Sequence, residues 1–192
     1  FCNGEYRAKV TYKQVRTYPV ANGQATLRVS LCNEEAEGYL QKMLEYLRWH
    51  GICQADFIVD KRTGASYLID INPRFWGSLI QGIASGVDFP YLLYKIAMEG
   101  DVEPSNEFKT GIVTRWIGGD VRAFFTLLRA SKEKVKFLRN FSAPAEGMVC
   151  YDDFCLEDPL PFLTWSFDAL YRMLKHRSLS PAMHDSVEGL WE

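Results

Sequence analysis

The chain has 192 residues, of which 47% are hydrophobic and 14% aromatic, so it can form one domain, or one and a half, with a sizeable core. Its formal net charge is -2 with both signs scattered, which argues against a nucleic-acid or anionic-membrane partner. No apolar run approaches the roughly 18 residues of a membrane span, and the N-terminus lacks the features of a signal peptide. We therefore expect a cytoplasmic protein.

The N-terminal segment predicts a hairpin that opens at Asn3-Gly4, with alternation from Ala8 to Arg16. Residues 17–28 are predicted to be a connecting loop. Arg16 and Arg28 flank this loop and are candidates for contact with an anion. The alternative is that both are ordinary surface arginines, because loops gather charged residues for solvation.

A helix is predicted to begin after Asn33, a good N-cap residue that three acidic side chains follow within the first turn. Apolar residues recur at helical spacing up to Leu47, which predicts an amphipathic helix that ends at His50-Gly51.

Two alternating segments, residues 55–60 and 67–72, enclose a polar loop that contains Gly64, and they predict an antiparallel hairpin. A turn centred near Thr63 places Asp56 opposite Asp70, with Asn72 on the same face. Opposed like charges destabilise a sheet unless a cation lies between them. The pattern therefore predicts a Mg²⁺ or Mn²⁺ site at Asp56, Asp70 and Asn72.

Pro73 ends the second strand because it has no N–H to donate, and Arg74 follows with a planar guanidinium suited to phosphate. Acidic and amide side chains on one strand face are more often simply solvated. The whole string of acid, turn, acid, Asn, Pro and Arg favours the metal site.

The rest of the chain is predicted to be mainly helical. Residues 75–86 and 89–100 read as helices, the second with Asp88 as its N-cap. A polar linker follows at residues 101–107, then a strand at residues 111–117 that carries Arg115. Two further helices are predicted at residues 121–139 and 162–176, and a loose tail begins at residue 178.

Three segments together, residues 55–60, 67–78 and 86–90, resemble the distal half of an ATP-grasp ligase. The resemblance implies that Asp56, Asp70 and Asn72 bind the magnesium of ATP and that Arg74 contacts phosphates. This chain has Asp at both positions where the family more often has Glu, so each carboxylate is shorter. The segments around Arg16, Arg28 and Arg115 are also similar to parts of such ligases, which makes these arginines candidate substrate contacts. For Arg115 the alternative is a structural strand arginine packed under a Trp.

The resemblance implies an enzyme that activates a carboxylate as an acyl phosphate with magnesium ATP and joins it to an amine. The residues after Asn72 are closer to carbamoyl-phosphate synthase large subunits and to carboxylate-amine ligases than to biotin-dependent carboxylases, because Ser78 stands where those carboxylases have Glu. Two alternatives stay open. One is a non-catalytic ATP-grasp-like interaction module, and the other is a kinase-like ATP-grasp enzyme.

The expected fold class is α+β, an antiparallel sheet flanked by helices, with a mainly helical C-terminal extension. Residues 1–100 are the predicted distal, metal-binding half, and residues 101–192 are the predicted extension. Few residues precede Asp56, which is too little for the proximal half of an ATP-grasp site. We therefore expect the chain to be the C-terminal part of a longer enzyme, inactive without the N-terminal part.

Overall fold

The structure is a computed structural model and describes residues 1–19, 23–130, 141 and 149–176. The chain divides into two compact units, Phe1–Asp152 and Asp153–Glu192. The first unit contains both sheets and most of the helices, and the second contains one described helix. The structure thus contains both sheets and helices, in agreement with the predicted mixture of the two.

The first hairpin of the chain is confirmed at its predicted turn. Cys2 and Glu5 form an antiparallel bridge, and Asn3 and Gly4 both have positive φ, 50° and 90°. Asn and Gly tolerate this left-handed backbone better than other residues. Strand β1 begins later than the alternation suggested, at Tyr12, and runs over Tyr12–Tyr18.

The prediction of a loop over residues 17–28 is wrong for its second half. Gln24–Ser30 forms strand β2, which pairs antiparallel with β1, so Arg28 lies on a strand. One face of β2 carries the polar side chains of Thr26, Arg28 and Ser30, all at most 1% exposed. Polar residues at these positions suggested a loop in the sequence. In the structure they are buried on a strand of the first unit.

The main sheet has four strands in the order β1-β2-β5-β6. Strand β5, Val113–Arg115, pairs antiparallel with β2, and strand β6, Val149–Tyr151, pairs parallel with β5. The sheet is therefore mixed, which corrects the prediction of a wholly antiparallel sheet. Strand β6, which has three residues, was not predicted from the sequence.

A second, two-stranded sheet is formed by β3, Gln54–Val59, and β4, Ser66–Asn72. This is the predicted hairpin, and we call it the acidic hairpin because it carries Asp56 and Asp70. Several large apolar side chains on it are exposed, among them Ile58 at 60% and Ile69 at 59%.

Helix α1, Glu34–Tyr46, has the predicted N-cap, since the Asn33 side chain accepts a hydrogen bond from Ala36 N at 3.1 Å. It ends before the predicted His50-Gly51 because Arg48 adopts a left-handed backbone with φ of 51°. His50 instead accepts a hydrogen bond at Nδ1 from Asn3 N, 3.2 Å away.

Helices α2, Leu79–Ala84, and α3, Phe89–Glu99, follow the acidic hairpin. The Asp88 side chain caps α3 by accepting from Tyr91 N at 3.0 Å, and Gly100 ends it with φ of 89°. The predicted N-cap of α3 and its predicted end at residue 100 are confirmed. Gln81 of α2 is fully buried and bonds to Thr114 Oγ1 and Ile112 O, which fixes α2 on β5.

The predicted linker after Gly100 is tied to the first unit. Arg7 pairs with Asp101, and Arg7 O accepts a hydrogen bond from Ser105 N at 2.7 Å. The compact unit continues to Asp152, and β5 and β6, placed in the predicted extension, belong to the main sheet. The assignment of residues 1–100 as the distal half of a site remains a prediction.

Helix α4 covers Ile117–Ala130 and begins before the predicted Val121. Gly119 allows this early start, because a Cβ there would lie 2.3 Å from the Trp116 ring and 2.7 Å from Thr26 Cγ2. The rest of the predicted helix, to Arg139, lies outside the described residues.

In the second unit, helix α5 covers Leu160–His176, close to the predicted 162–176. The Phe154 and Phe162 rings pack edge to face with centroids 5.4 Å apart. The predicted tail from Ser178 lies outside the described residues. Among the helices that the structure describes, none has the length and apolar character needed to cross a membrane.

Candidate metal site

The acidic hairpin has the predicted register at its open end. Asp56 pairs with Asp70, and Gln54 pairs with Asn72. The register shifts by one residue between Asp56 and Phe57, so that Ile69 has no direct partner. Such a bulge re-aims side chains locally and often lies next to functional sites. The predicted opposition of the two carboxylates is confirmed.

Each of the two carboxylates accepts a hydrogen bond from a neighbouring carboxamide. Gln54 Nε2 donates to Asp56 Oδ1 at 2.8 Å, and Asn72 Nδ2 donates to Asp70 Oδ2 at 3.0 Å. The two amides also contact each other, with Asn72 Nδ2 3.5 Å from Gln54 Oε1. Four polar side chains therefore form one connected group at the end of the acidic hairpin.

The pKa of Asp56 is raised, although two neighbouring side chains act to lower it. Partial burial raises the pKa of Asp56, and the charge of Asp70 raises it further, while Gln54 and Arg74 lower it. A raised carboxyl pKa means that the surroundings in the protein disfavour the ionised form. A divalent cation between the carboxylates reverses this effect, because it favours both ionised forms.

The residues present fit a hard cation such as Mg²⁺. Mg²⁺ binds oxygen and usually takes one or two carboxylates, with waters and substrate phosphates as its other ligands. Asp56, Asp70 and the Asn72 amide oxygen provide such donors. In the structure Asn72 turns its NH₂ group to Asp70 and its oxygen to Arg74, so metal binding by Asn72 needs a half-turn of the carboxamide.

Within the described residues, no group of three or more His, Cys, Asp or Glu side chains is arranged to hold a metal ion. A site on the acidic hairpin is thus incomplete by itself. It needs additional oxygen ligands from water or from a bound phosphate, which is the usual situation for Mg²⁺ with a nucleotide.

Arg74 lies beside this group and is exposed. Its Nη2 donates to Asn72 Oδ1 at 3.3 Å and its Nη1 to Phe75 O at 3.1 Å. The backbone turns sharply here, because Arg74 N bonds to Asn72 O at 2.8 Å. The guanidinium therefore stays close to the carboxylates and keeps donors accessible to an anion.

Two of the predicted substrate arginines, Arg16 and Arg115, meet at Asp120, the residue just before the predicted helix 121–139. Arg16 Nη1 donates to Asp120 Oδ1, and Arg115 Nε lies 3.4 Å from Asp120 Oδ2. Thr26 Oγ1 donates to the same carboxylate at 3.0 Å. Asp120 is only 4% exposed, so this is a buried ion-pair cluster in which two guanidinium groups share one acid.

Arg28 forms a separate pair. Its Nη2 donates to Asp152 Oδ2, and the Arg28 side chain is 1% exposed. Buried charges are retained in proteins when they are paired, so Asp152 explains how Arg28 can lie inside the sheet. No sequence pattern predicts this pair, because its members are 124 positions apart.

The structure also contains a contact that the sequence analysis did not identify, between Tyr12 on β1 and Ser78 at the start of α2. Their hydroxyl oxygens are 2.8 Å apart. This contact joins the main sheet to the start of α2.

Comparison with known proteins identifies the family of the chain. A sequence model of the family described as "ATP-grasp in the biosynthetic pathway with Ter operon" matches residues 5–119, more than half of the chain. The match includes the acidic hairpin, Arg74 and Arg115. The chain belongs to this ATP-grasp family. None of the curated proteins and none of the solved structures compared with it matches the chain.

ATP-grasp proteins are generally ATP-dependent ligases, and the family description refers to a biosynthetic pathway. Family membership thus indicates a ligase-type function that uses ATP. The family match names no substrate and assigns no role to individual residues.

Proposed function

We propose that this protein uses magnesium ATP to activate a carboxylate as an acyl phosphate, which an amine or similar nucleophile then converts to an amide. The observation that carries the proposal is the pair of opposed carboxylates, Asp56 and Asp70, with Asn72 and Arg74 beside them. Carbamoyl-phosphate synthases and carboxylate-amine ligases are the relatives whose chemistry fits this proposal best.

In this proposal Asp56, Asp70 and the Asn72 oxygen hold the metal of ATP, and residues 1–100 form the distal half of the site. The bound metal supplies neutralisation of phosphate charge. Phosphoryl transfer depends mainly on positioning and on such electrostatic stabilisation, so no nucleophilic side chain is required. This agrees with a site built from carboxylates, an amide and a guanidinium.

The proposed reaction has two steps. A substrate carboxylate oxygen attacks the γ-phosphorus of ATP, and ADP leaves with the electrons of the broken P–O bond. The amine nitrogen then attacks the carbonyl carbon of the acyl phosphate, and phosphate leaves. Arg74 can contact the transferred phosphoryl group in both steps, since a guanidinium offers two parallel donors to phosphate oxygens.

Of the three predicted substrate arginines, Arg115 is the best candidate for a substrate carboxylate. Its side chain is 29% exposed, and its Nε lies near Asp120 without a hydrogen bond of good geometry. Arg16 supports it by compensating the charge of Asp120. The burial of Arg28 favours a structural role.

Trapping of an activated carboxylate tests the proposal. The purified full-length enzyme, with the expected N-terminal part, is incubated with magnesium ATP, hydroxylamine and a panel of amino acids and other small carboxylates, because hydroxylamine converts acyl phosphates to hydroxamates. We expect ADP and a hydroxamate with at least one panel member, and neither product when EDTA removes the metal. A stable phosphorylated product in place of the hydroxamate indicates the kinase-like alternative. Absence of metal-dependent ATP binding indicates the interaction module.

A further inference from the structure

We propose that Tyr12 is a positioning residue that fixes the segment between the acidic hairpin and α2, and with it Arg74 and the metal-binding end of the hairpin. We call residues 73–78 the junction segment. The inference rests on the proposed function, because it assigns Tyr12 a role in the same site. It starts from the 2.8 Å contact between the Tyr12 and Ser78 hydroxyl oxygens.

The acidic hairpin needs such support. It forms a sheet of its own with two strands, and an isolated two-stranded hairpin is at best marginally stable in water. At its closed end it is attached to α1, since Ser66 N donates to Glu35 Oε2 at 2.8 Å and Asn33 Nδ2 donates to Ser66 Oγ at 3.2 Å. These contacts do not reach the open end, where Asp56, Asp70 and Asn72 lie.

At the open end, the junction segment provides the attachment. Trp76 is 8% exposed and packs edge to face on Phe89 of α3, with ring centroids 5.2 Å apart. Ser78 is held by Tyr12, which belongs to the four-stranded sheet. Arg74 therefore lies in a short segment fixed between the hairpin on one side and two different elements on the other.

Ser78 departs from its ordinary local role to make this contact. It occupies the N-cap position of α2, where a Ser side chain usually accepts a hydrogen bond from the backbone of the first turn. Its side chain makes no such cap bond. The first turn is instead closed by the Ser78 carbonyl, which accepts from Gln81 N at 3.0 Å. Local rules broken in this way are expected at functional sites.

Tyr12 is partly buried. Burial raises the pKa of its hydroxyl, and the Ser78 bond lowers it. A raised pKa favours the neutral hydroxyl, which is the form that shares a hydrogen bond with the neutral Ser78 side chain.

The test measures Mn²⁺ binding in the presence of ATP by electron paramagnetic resonance in the full-length enzyme, as wild type and with Tyr12→Phe or Ser78→Ala. Both variants should bind Mn²⁺ roughly three- to tenfold more weakly, the effect of one lost hydrogen bond. The double variant should bind no more weakly than either single variant, because both changes remove the same contact. Ser78→Thr keeps a hydroxyl and should restore most of the affinity.

Tyr6→Phe is the matched control. The Tyr6 hydroxyl donates to Ser105 O at the same distance of 2.8 Å, away from the acidic hairpin. This variant should bind Mn²⁺ as wild type does. Equal losses in Tyr6→Phe and Tyr12→Phe, or affinities unchanged by Tyr12→Phe, overturn the assignment of Tyr12.

Hydrogen exchange of the metal-free protein separates this inference from the proposed function. Amides of residues 74–78 should exchange faster in Tyr12→Phe and Ser78→Ala than in wild type and Tyr6→Phe. If wild type fails to bind Mn²⁺ with ATP, the proposed metal site is wrong, and the exchange rates still decide whether Tyr12 fixes the junction segment. Unchanged exchange in both variants contradicts the positioning role directly.

Discussion

Acidic side chains have different partners on the acidic hairpin and beside the main sheet. Beside the main sheet, Asp120 of α4 and Asp152, which follows β6, are largely buried, and each pairs with an arginine of the sheet. On the acidic hairpin, Asp56 and Asp70 face each other and their nearest donors are neutral amides. The first arrangement compensates each buried charge, whereas the second lowers stability unless a cation binds.

Replacing Asp70 by Asn should have the largest effect on activity of the changes considered for the two regions. We expect Asp70→Asn to lower ATP-dependent hydroxamate formation by several orders of magnitude, because the metal loses a charged ligand. The free energy of unfolding should change by no more than about 0.5 kcal/mol, since Asp70 is exposed and the change removes a repulsion. Steady-state rates and urea unfolding measure the two effects. Wild-type activity in this variant would remove Asp70 from the site.

Arg74→Lys should have the next largest effect on activity. A lysine keeps the charge but cannot place two parallel donors on a phosphoryl group, so we expect a loss of roughly a hundredfold in kcat. Arg62→Lys is the matched control, because Arg62 lies in the hairpin loop with an 89% exposed side chain. Equal rates for Arg74→Lys and the control assign Arg74 a structural role.

The same Asp-to-Asn change beside the main sheet should act on stability instead. Asp152→Asn leaves the charge of Arg28 buried without its acid, and breaking a buried ion pair in this way costs about 3 to 5 kcal/mol. Urea unfolding of Asp152→Asn and Asp70→Asn side by side measures the contrast. Similar unfolding free energies in the two variants would contradict the claim that Asp152 supports stability and Asp70 does not.

The smallest expected effect concerns the pair between Arg7 and Asp101. The Arg7 guanidinium holds the pKa of Asp101 well below its usual range, with help from Val102 N. A lowered folded-state pKa stabilises the protein above the unfolded value of about 4, and this contribution is lost as pH falls towards the folded value. Asp101→Asn should therefore lower the thermal midpoint at pH 7, with the difference narrowing below about pH 4. A difference independent of pH would contradict this account.

The two regions also differ in how far the sequence predicts them. The register of the acidic hairpin follows from local information, namely the alternation of residues 55–60 and 67–72 and the polar turn between them. The N-caps at Asn33 and Asp88 and the helix end at Gly100 are equally local, and the structure confirms all three. The group of Asp56, Asp70, Asn72 and Arg74 could therefore be assembled from residue types and spacing.

The main sheet was predicted less well because its determining contacts are distant in sequence. Arg16 and Asp120 are 104 positions apart, so no spacing rule connects them. Strand β2 did carry a usable signal, the alternation of Ala25, Leu27 and Val29 with polar residues. The polar residues suggested a loop, although they form a buried face. Tyr12 had no signal, because its partner Ser78 is identified only once α2 is placed.

The most direct test of the metal site is a crystal structure of the protein with Mn²⁺ and a non-hydrolysable ATP analogue, with manganese located by anomalous diffraction. The account predicts one manganese peak at the open end of the acidic hairpin, bound by oxygens of Asp56, Asp70 and Asn72 and of the analogue's phosphates. Manganese and nucleotide bound elsewhere, with Asp56 and Asp70 free of metal, would contradict it.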